Sequence, residues 1–244
     1  MKEKGLKREL GLLDIFSIAS GAMISSGLFI LPALAYSKTG PAMVFSYILA
    51  GILVLPAMLA KAELATAMPK AGGVYFFIER SMGAPAGTFG GLASWFSLSF
   101  KTAFALVGIG IFATLISPNI TGAQIKLIAV GCCLFFMFVN IIGVKHSGRF
   151  QIALVLSLIG ILVLYVFRGF LLIQPQRYTP LMPFGMGSVF ATAGLVFISF
   201  GGLTKICSVA EEVKNPGRNI PLGMFLAFSI VMILYAAVVF TTVG

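Results

Sequence analysis

Apolar stretches without a charged residue recur along the whole chain, and each is long enough to cross a membrane. They cover residues 15–37, 39–60, 81–100 and on past Lys101 to 124, 127–144, 150–167, 178–204 and 219–244. A bilayer core of ~30 Å needs about 20 helical residues. Backbone in such a core must satisfy its own polar groups, which leaves helices as the fold for runs of this kind. Only 10% of the 244 residues are charged, against about 25% in a soluble domain. The expected fold is therefore all-α: seven transmembrane helices in one transmembrane domain covering residues 1–244, with no separate soluble domain.

Net charge is +10. Its distribution argues for membrane topology and against nucleic acid. Lys2, Lys4, Lys7 and Arg8 precede the first span, and Lys70 and Arg80 lie between the second and third. Lys145 and Arg149 lie between the fourth and fifth, and Lys214 and Arg218 between the sixth and seventh. The alternate loops hold only Lys38, Lys126 and Arg177, with Arg168 near one end. Basic residues mark the cytoplasmic side, so the expectation is a multi-pass cell-membrane protein with a cytoplasmic N-terminus. A cleavable signal peptide is the competing reading of residues 1–35, given the basic start and Ala33-Leu34-Ala35. The apolar run is too long for a signal core. Cys132, Cys133 and Cys207 fall in or beside spans without disulfide or metal-ligand spacing and read as packing residues.

Two of the runs are interrupted by small residues at corresponding places. Span one contains Gly21-Ala22-Met23-Ile24-Ser25-Ser26-Gly27, and span six contains Ser199-Phe200-Gly201-Gly202-Leu203-Thr204. Alternating topology makes these two spans antiparallel. A repeat starting at span six is then inverted relative to one starting at span one, an arrangement used by many secondary transporters. The first repeat covers about 12–173 and the start of the second about 188–244. The link Met68 to Arg80, with Pro69 and the pair Gly72-Gly73, is amphipathic and reads as a surface segment or a plain loop. Pro175, Pro180 and Pro183 suggest an extended connection into span six.

Enzyme chemistry has little to work with. His146 is the sole histidine and Asp14 the sole aspartate, so no metal site, catalytic triad or cofactor site assembles. Gly108-Ile109-Gly110-Ile111-Phe112-Ala113 approaches a dinucleotide pattern by letter but follows no strand, and it reads as close helix packing. The first break is more specific. Unwinding around Met23 to Ser26 frees the carbonyls of Ala22, Met23 and Ile24 to face an ammonium group. It also turns the N–H groups of Ser26 and Gly27, at the start of a half-helix, toward a carboxylate. The alternative is tight helix packing through Gly21, Ser25, Ser26 and Gly27. The second break favours a binding site: Phe197-Ile198-Ser199-Phe200-Gly201-Gly202 places aromatics, a hydroxyl and two glycines at mid-depth, with Phe200 able to close over a ligand.

These residues resemble the amino acid-polyamine-organocation transporters, whose fold is that of the leucine transporter. Gly21 to Phe29 is similar to the family's span-one signature, and Ala62-Glu63-Leu64-Ala65 through Pro69 to Tyr75 to its span-two motif. Glu211 to Pro221 is the most distinctive match. The resemblance implies that Ile24, Ser26 and Gly27 hold the substrate's carboxylate and amine, and that Phe200 is the outer gate. Ser25 stands where the family usually has glycine, and Leu203-Thr204 where it has an aromatic followed by an acid. The span-five lysine of several relatives is replaced at about Leu158.

Lys101 lies well inside span three, on a helical face shared with Ser94, Ser97, Ala105 and Gly108. A lysine at that depth costs at least ~2.5 kcal/mol on insertion scales. It is a candidate for a coupling or substrate-selecting charge, the alternative being a structural lysine bound to helix-end carbonyls. Asp14, Lys205, Glu211 and Glu212 are candidates for a cytoplasmic gate; a solvated helix end is the other reading. The family has about twelve spans, of which seven are expected here, so the chain reads as a fragment of a longer permease or as a truncated product. The expectation is a secondary active transporter of amino acids or related amines, not an enzyme and without cofactor. Its coupling ion is a proton or sodium, unless it exchanges substrates. A further polypeptide is a possible partner, and a non-transporting membrane subunit the competing class.

Overall fold

A computed structural model describes residues 6–116, 119–142 and 144–244; the side chains of Ser26, Ile111, Leu115, Ile116, Ile142 and 144–147 lie outside the description, and with them the expected loop residues Lys145 and His146. Among the described residues ten α-helices follow in order: α1 (Leu12–Phe29), α2 (Leu31–Thr39), α3 (Met43–Ala67), α4 (Gly73–Met82), α5 (Ala84–Ile116), α6 (Gly122–Ile142), α7 (Val144–Phe170), α8 (Gly185–Phe197), α9 (Lys205–Ser208) and α10 (Pro216–Val243). Among the described residues there is no β-sheet, only an isolated parallel bridge between Leu10 and Val213. Six stretches of the described residues are long and apolar enough to span a membrane: Leu31–Ala67, Ala84–Thr114, Gly122–Ile141, Gly148–Phe170, Gly185–Ser208 and Pro216–Val243. A shorter apolar helix, Leu12–Ser25, precedes them. The first expected span is thus assembled from α1 and α2.

The second span runs past its expected end. Lys61 and Glu63 do not stop α3, which continues to Ala67 and ends ahead of Pro69, where the residue before a proline is pushed out of helical conformation. The link that follows is a helix, α4, and not a plain loop. Between α7 and α8 the proline-rich connection holds one short 3-10 turn, Pro175–Tyr178, flanked by extended residues. α10 opens on Pro216 after left-handed Asn215, because proline's fixed φ suits the first helical position and costs no hydrogen bond there.

The chain divides into two compact units, Met1–Gly73 with Gln151–Gly244, and Val74–Phe150. In the first, α1 packs on α10 and on the segment after α8, while α3 lies against α8 and α10. Its core holds Ile15, Met23, Ile24, Tyr47, Val196, Phe200, Ile206, Ile220, Met224 and Tyr235, all within 1% of full burial. Lipid is as apolar as leucine, so such helices associate through close packing and interhelical hydrogen bonds. Buried hydroxyls supply the latter: Ser46 donates to the Val189 carbonyl at 3.0 Å, and Thr39 pairs with Thr192. In the second unit α5 packs on α6, with Ile125 against Gly110. There Tyr75, Ile78 and Glu79 of α4 lie against Gly91, Gly90 and Gly87 of α5.

Candidate functional site: two broken helices in contact

α1 is not a continuous rod. Ser25 has φ −30° and ψ −110°, far from helical values, so the backbone breaks inside the segment singled out by its small residues. Span six loses its α-helical winding as well: α8 ends at Phe197, and Ile198–Thr204 continues as a 3-10 helix before α9 resumes. A seven-residue 3-10 stretch is long for a geometry that seldom persists beyond 3–4 residues.

The two breaks touch through Gly202. A Cβ there would lie 2.5 Å from both the Ala22 carbonyl carbon and the Met23 nitrogen, so only hydrogen fits. Gly27, just past the α1 break, approaches the same segment: a Cβ on it would sit 2.7 Å from Ser199 Cβ and 2.9 Å from Ser199 Oγ. Ala22, Met23, Gly27, Ser199 and Gly202 therefore converge. Gly201, the next residue in sequence, has nothing within 4 Å of where its Cβ would point.

Two tyrosines bind the peptide groups at the break. Tyr235 of α10 donates its hydroxyl to the Met23 carbonyl at 2.6 Å, and Tyr47 of α3 donates to the Gly27 carbonyl at 2.9 Å. Their rings meet edge to face with centroids 5.5 Å apart. Phe200 packs edge to face on Tyr235 at 5.3 Å and against Phe228 at 5.9 Å. The Ser25 hydroxyl turns back toward the Ala22 carbonyl at 3.5 Å. Ser17 Oγ and Ser20 Oγ are buried without a hydrogen-bond partner among the described residues, whereas Ser199 Oγ, also buried, faces the Tyr235 hydroxyl beside Gly27, where the two breaks meet.

Sequence reasoning missed Tyr47 and Tyr235, although they left a signal. They are the tyrosines in the middle of apolar runs, where a phenolic hydroxyl needs a partner. Of the expected residues, Ile24 and Phe200 are buried, whereas Phe197 is 39% exposed and takes no part in the contact. The Ser26 side chain lies outside the description. Lys101 belongs to the other compact unit, half-buried on α5.

Three of the expected gate residues, Asp14, Glu211 and Glu212, lie at the N-terminal arm. Asp14 Oδ2 accepts the Gly11 N–H at 2.8 Å, so it caps the first turn of α1 in the manner of a capping box. Glu211 bridges two segments: Oε2 accepts from Ala71 N–H at 2.9 Å and Oε1 from Leu6 N–H at 3.3 Å. Those backbone donors, Ala71 first, hold the Glu211 carboxyl below the usual glutamate range. Main-chain bonds from Leu10 N–H to the Glu212 carbonyl, 2.9 Å, and from Lys214 N–H to the Leu10 carbonyl, 2.8 Å, secure the arm beside it. Lys205 is exposed at the start of α9.

Comparison with known proteins agrees with this architecture. The sequence profile of a family described as amino acid permease matches residues 10–244. The methylthioribose transporter of Bacillus subtilis is 30% identical over 259 residues, covering 100% of this chain and 56% of its own length. The branched-chain amino acid permease of the same organism is 30% identical over 253 residues, covering 97% of this chain and 54% of its own. The cationic amino acid transporter 1 of Arabidopsis thaliana is 29% identical, covering 97% and 42%. The chain thus spans about half the length of the relatives it matches.

Proposed function

Because this chain belongs to the amino acid permease family, we propose that it carries the substrate-gripping half of a secondary active transporter for amino acids or related amines. The observation that supports the reading best is the contact of the two breaks at Gly202. Peptide groups at a helix break in a bilayer need polar partners other than water, and such groups suit the two poles of a zwitterion. In this proposal the carbonyls of Ala22, Met23 and Ile24 receive the ammonium, and the N–H groups of Ser26 and Gly27 receive the carboxylate. Ser199 adds a hydroxyl, and Phe200 closes over the ligand. Alternating access moves α1 and the span-six segment against the surrounding helices. The N-terminus faces the cytoplasm, so the Glu211 cluster is the inner gate, while Lys101 carries the proton coupling or selects the substrate charge. Residues 12–173 and 188–244 form one transporter domain of inverted repeats, completed by further helices.

Tyr235 gives the proposal a concrete step. Its hydroxyl occupies the Met23 carbonyl, so an incoming ammonium must displace or share that hydrogen bond. The relatives are named for methylthioribose, branched-chain amino acids and cationic amino acids. Branched-chain and cationic amino acids share the ammonium and carboxylate poles and differ in side chain, so in this proposal side-chain selectivity is set outside the peptide groups that bind those poles; methylthioribose carries neither pole. Uptake into proteoliposomes by the protein, with labelled leucine and arginine competed by methylthioribose, tests the assignment. Saturable uptake of an amine-bearing solute, lost in Phe200→Ala protein that still elutes as a folded species, is expected. Failure of every amine-bearing compound to be transported or to compete would overturn it.

A further inference from the structure

A pocket lies at the opposite end of the first unit from the N-terminal arm. The corner between α2 and α3 and the connection before α8 border this open surface pocket of ~360 Å³, most of whose lining is exposed. Tyr36, Ser37 and Pro41 form one wall, and Arg177, Thr179 and Phe184 the other.

The connection is fixed in place despite its prolines. Gln174 N–H donates to the Gly244 carbonyl at 3.1 Å, and the Tyr178 hydroxyl donates to the Phe240 carbonyl at 2.7 Å. The Tyr178 and Phe240 rings lie 5.1 Å apart. At the corner, Gly40 adopts φ +66°, and Pro183 Cγ lies 2.8 Å from where its Cβ would stand. The two walls are therefore in contact at one edge.

Arg177 is the charged side chain of the lining. Its Nε donates to Gln174 Oε1 at 3.1 Å, which orients the guanidinium and leaves its terminal amino groups as donors. Every described acid of this unit, Glu9, Asp14, Glu63, Glu211 and Glu212, belongs to the opposite end, at the start of α1, the end of α3 or the segment after α9. Among the described residues of this unit no Asp or Glu side chain pairs with Arg177, and a guanidinium beside hydroxyls and aromatic rings matches an oxyanion with an apolar body; Arg is the side chain best shaped for carboxylate or phosphate.

We propose that this pocket is a second ligand site, which takes a small carboxylate-bearing molecule through Arg177 and seats its apolar part between Tyr36 and Phe184. Naming the substrate's own carboxylate as the occupant in the cell rests on the transport reading; the anion site itself does not. A lipid phosphate offers related oxyanion chemistry, and the test separates the two. The purified protein in phospholipid-free detergent is dialysed against labelled 3-methylbutanoate, a carboxylate lacking the amine that the central site requires. Saturable binding is expected, weakened at least about tenfold by Arg177→Gln, as loss of a charge-assisted hydrogen bond implies. Arg177→Lys should restore part of it. Equal binding by Arg177→Gln would overturn the site. Absence of carboxylate binding together with Arg177-dependent retention of phosphatidylglycerol would identify a headgroup as the occupant and overturn the solute assignment. Failure of the central-site uptake experiment with 3-methylbutanoate still bound would refute the transport reading alone.

Discussion

Replacing Gly202 with alanine puts a methyl group where two backbones already meet. The new Cβ would stand 2.5 Å from the Ala22 carbonyl carbon and 2.5 Å from the Met23 nitrogen, about 1 Å inside the ~3.5–4.0 Å at which carbon atoms pack. Neither neighbour is the end of a flexible side chain. The strain must move main chain at the α1 break or at the 3-10 segment, and overpacking of this kind costs ~1–3 kcal/mol. Gly201→Ala is the matched control, since nothing lies within 4 Å of that Cβ. In a helical backbone it removes an unfavourable glycine, worth roughly 0.5–1 kcal/mol. Thermal unfolding of the two variants and the parent in the same detergent, followed by circular dichroism, should rank Gly201→Ala at or above the parent and Gly202→Ala below it. The separation between the two variants should correspond to roughly 1.5–4 kcal/mol. Equal melting of both, or the reverse order, would show that the backbones do not meet at Gly202 and would remove the main support for a site there.

Tyr235→Phe leaves the Met23 carbonyl buried without its hydroxyl donor, and Tyr47→Phe does the same to Gly27; each should destabilise by ~1–3 kcal/mol in the same melting assay. If Tyr235 competes with the substrate ammonium, its phenylalanine variant should also show a lower KM for uptake relative to Tyr47→Phe, a split that loss of stability alone does not produce. Glu211 gives a pH signature. Its backbone donors lower the folded pKa, so its contribution is fully present above the ordinary glutamate value and is lost as pH falls through the depressed one. Proteolysis of residues 6–10 should therefore accelerate below about pH 4 in the parent and be faster at neutral pH in Glu211→Ala; an arm equally protected in both would contradict the bridge. Lys101→Ala should change uptake rate or its pH dependence, and unchanged values for both would exclude a coupling role.

The helices were legible because membrane insertion leaves a period-free signal, a long run without charge, which survives any detail of packing. The break in α1 was legible for a related reason. Small residues at 21, 25, 26 and 27 weaken a helix in a solvent that punishes weakened helices, so their clustering needs an explanation beyond propensity. The extent of the second break was less visible: Ile198 and Leu203 are ordinary helix residues, and their 3-10 winding depends on α1 backbone lying against Gly202. Tyr47 and Tyr235 were invisible as a pair because they are distant in sequence and each reads as one more aromatic in an apolar run. Their common role exists only once α3 and α10 flank the α1 break. The same logic assigns Asp14 and Glu211 different work despite similar sequence positions at helix ends. Asp14 closes a bond three residues away, a local cap that any isolated helix could make, whereas Glu211 joins Leu6 to Ala71. Only the second joins separate segments of the chain, which is what the proposed gate role asks of it.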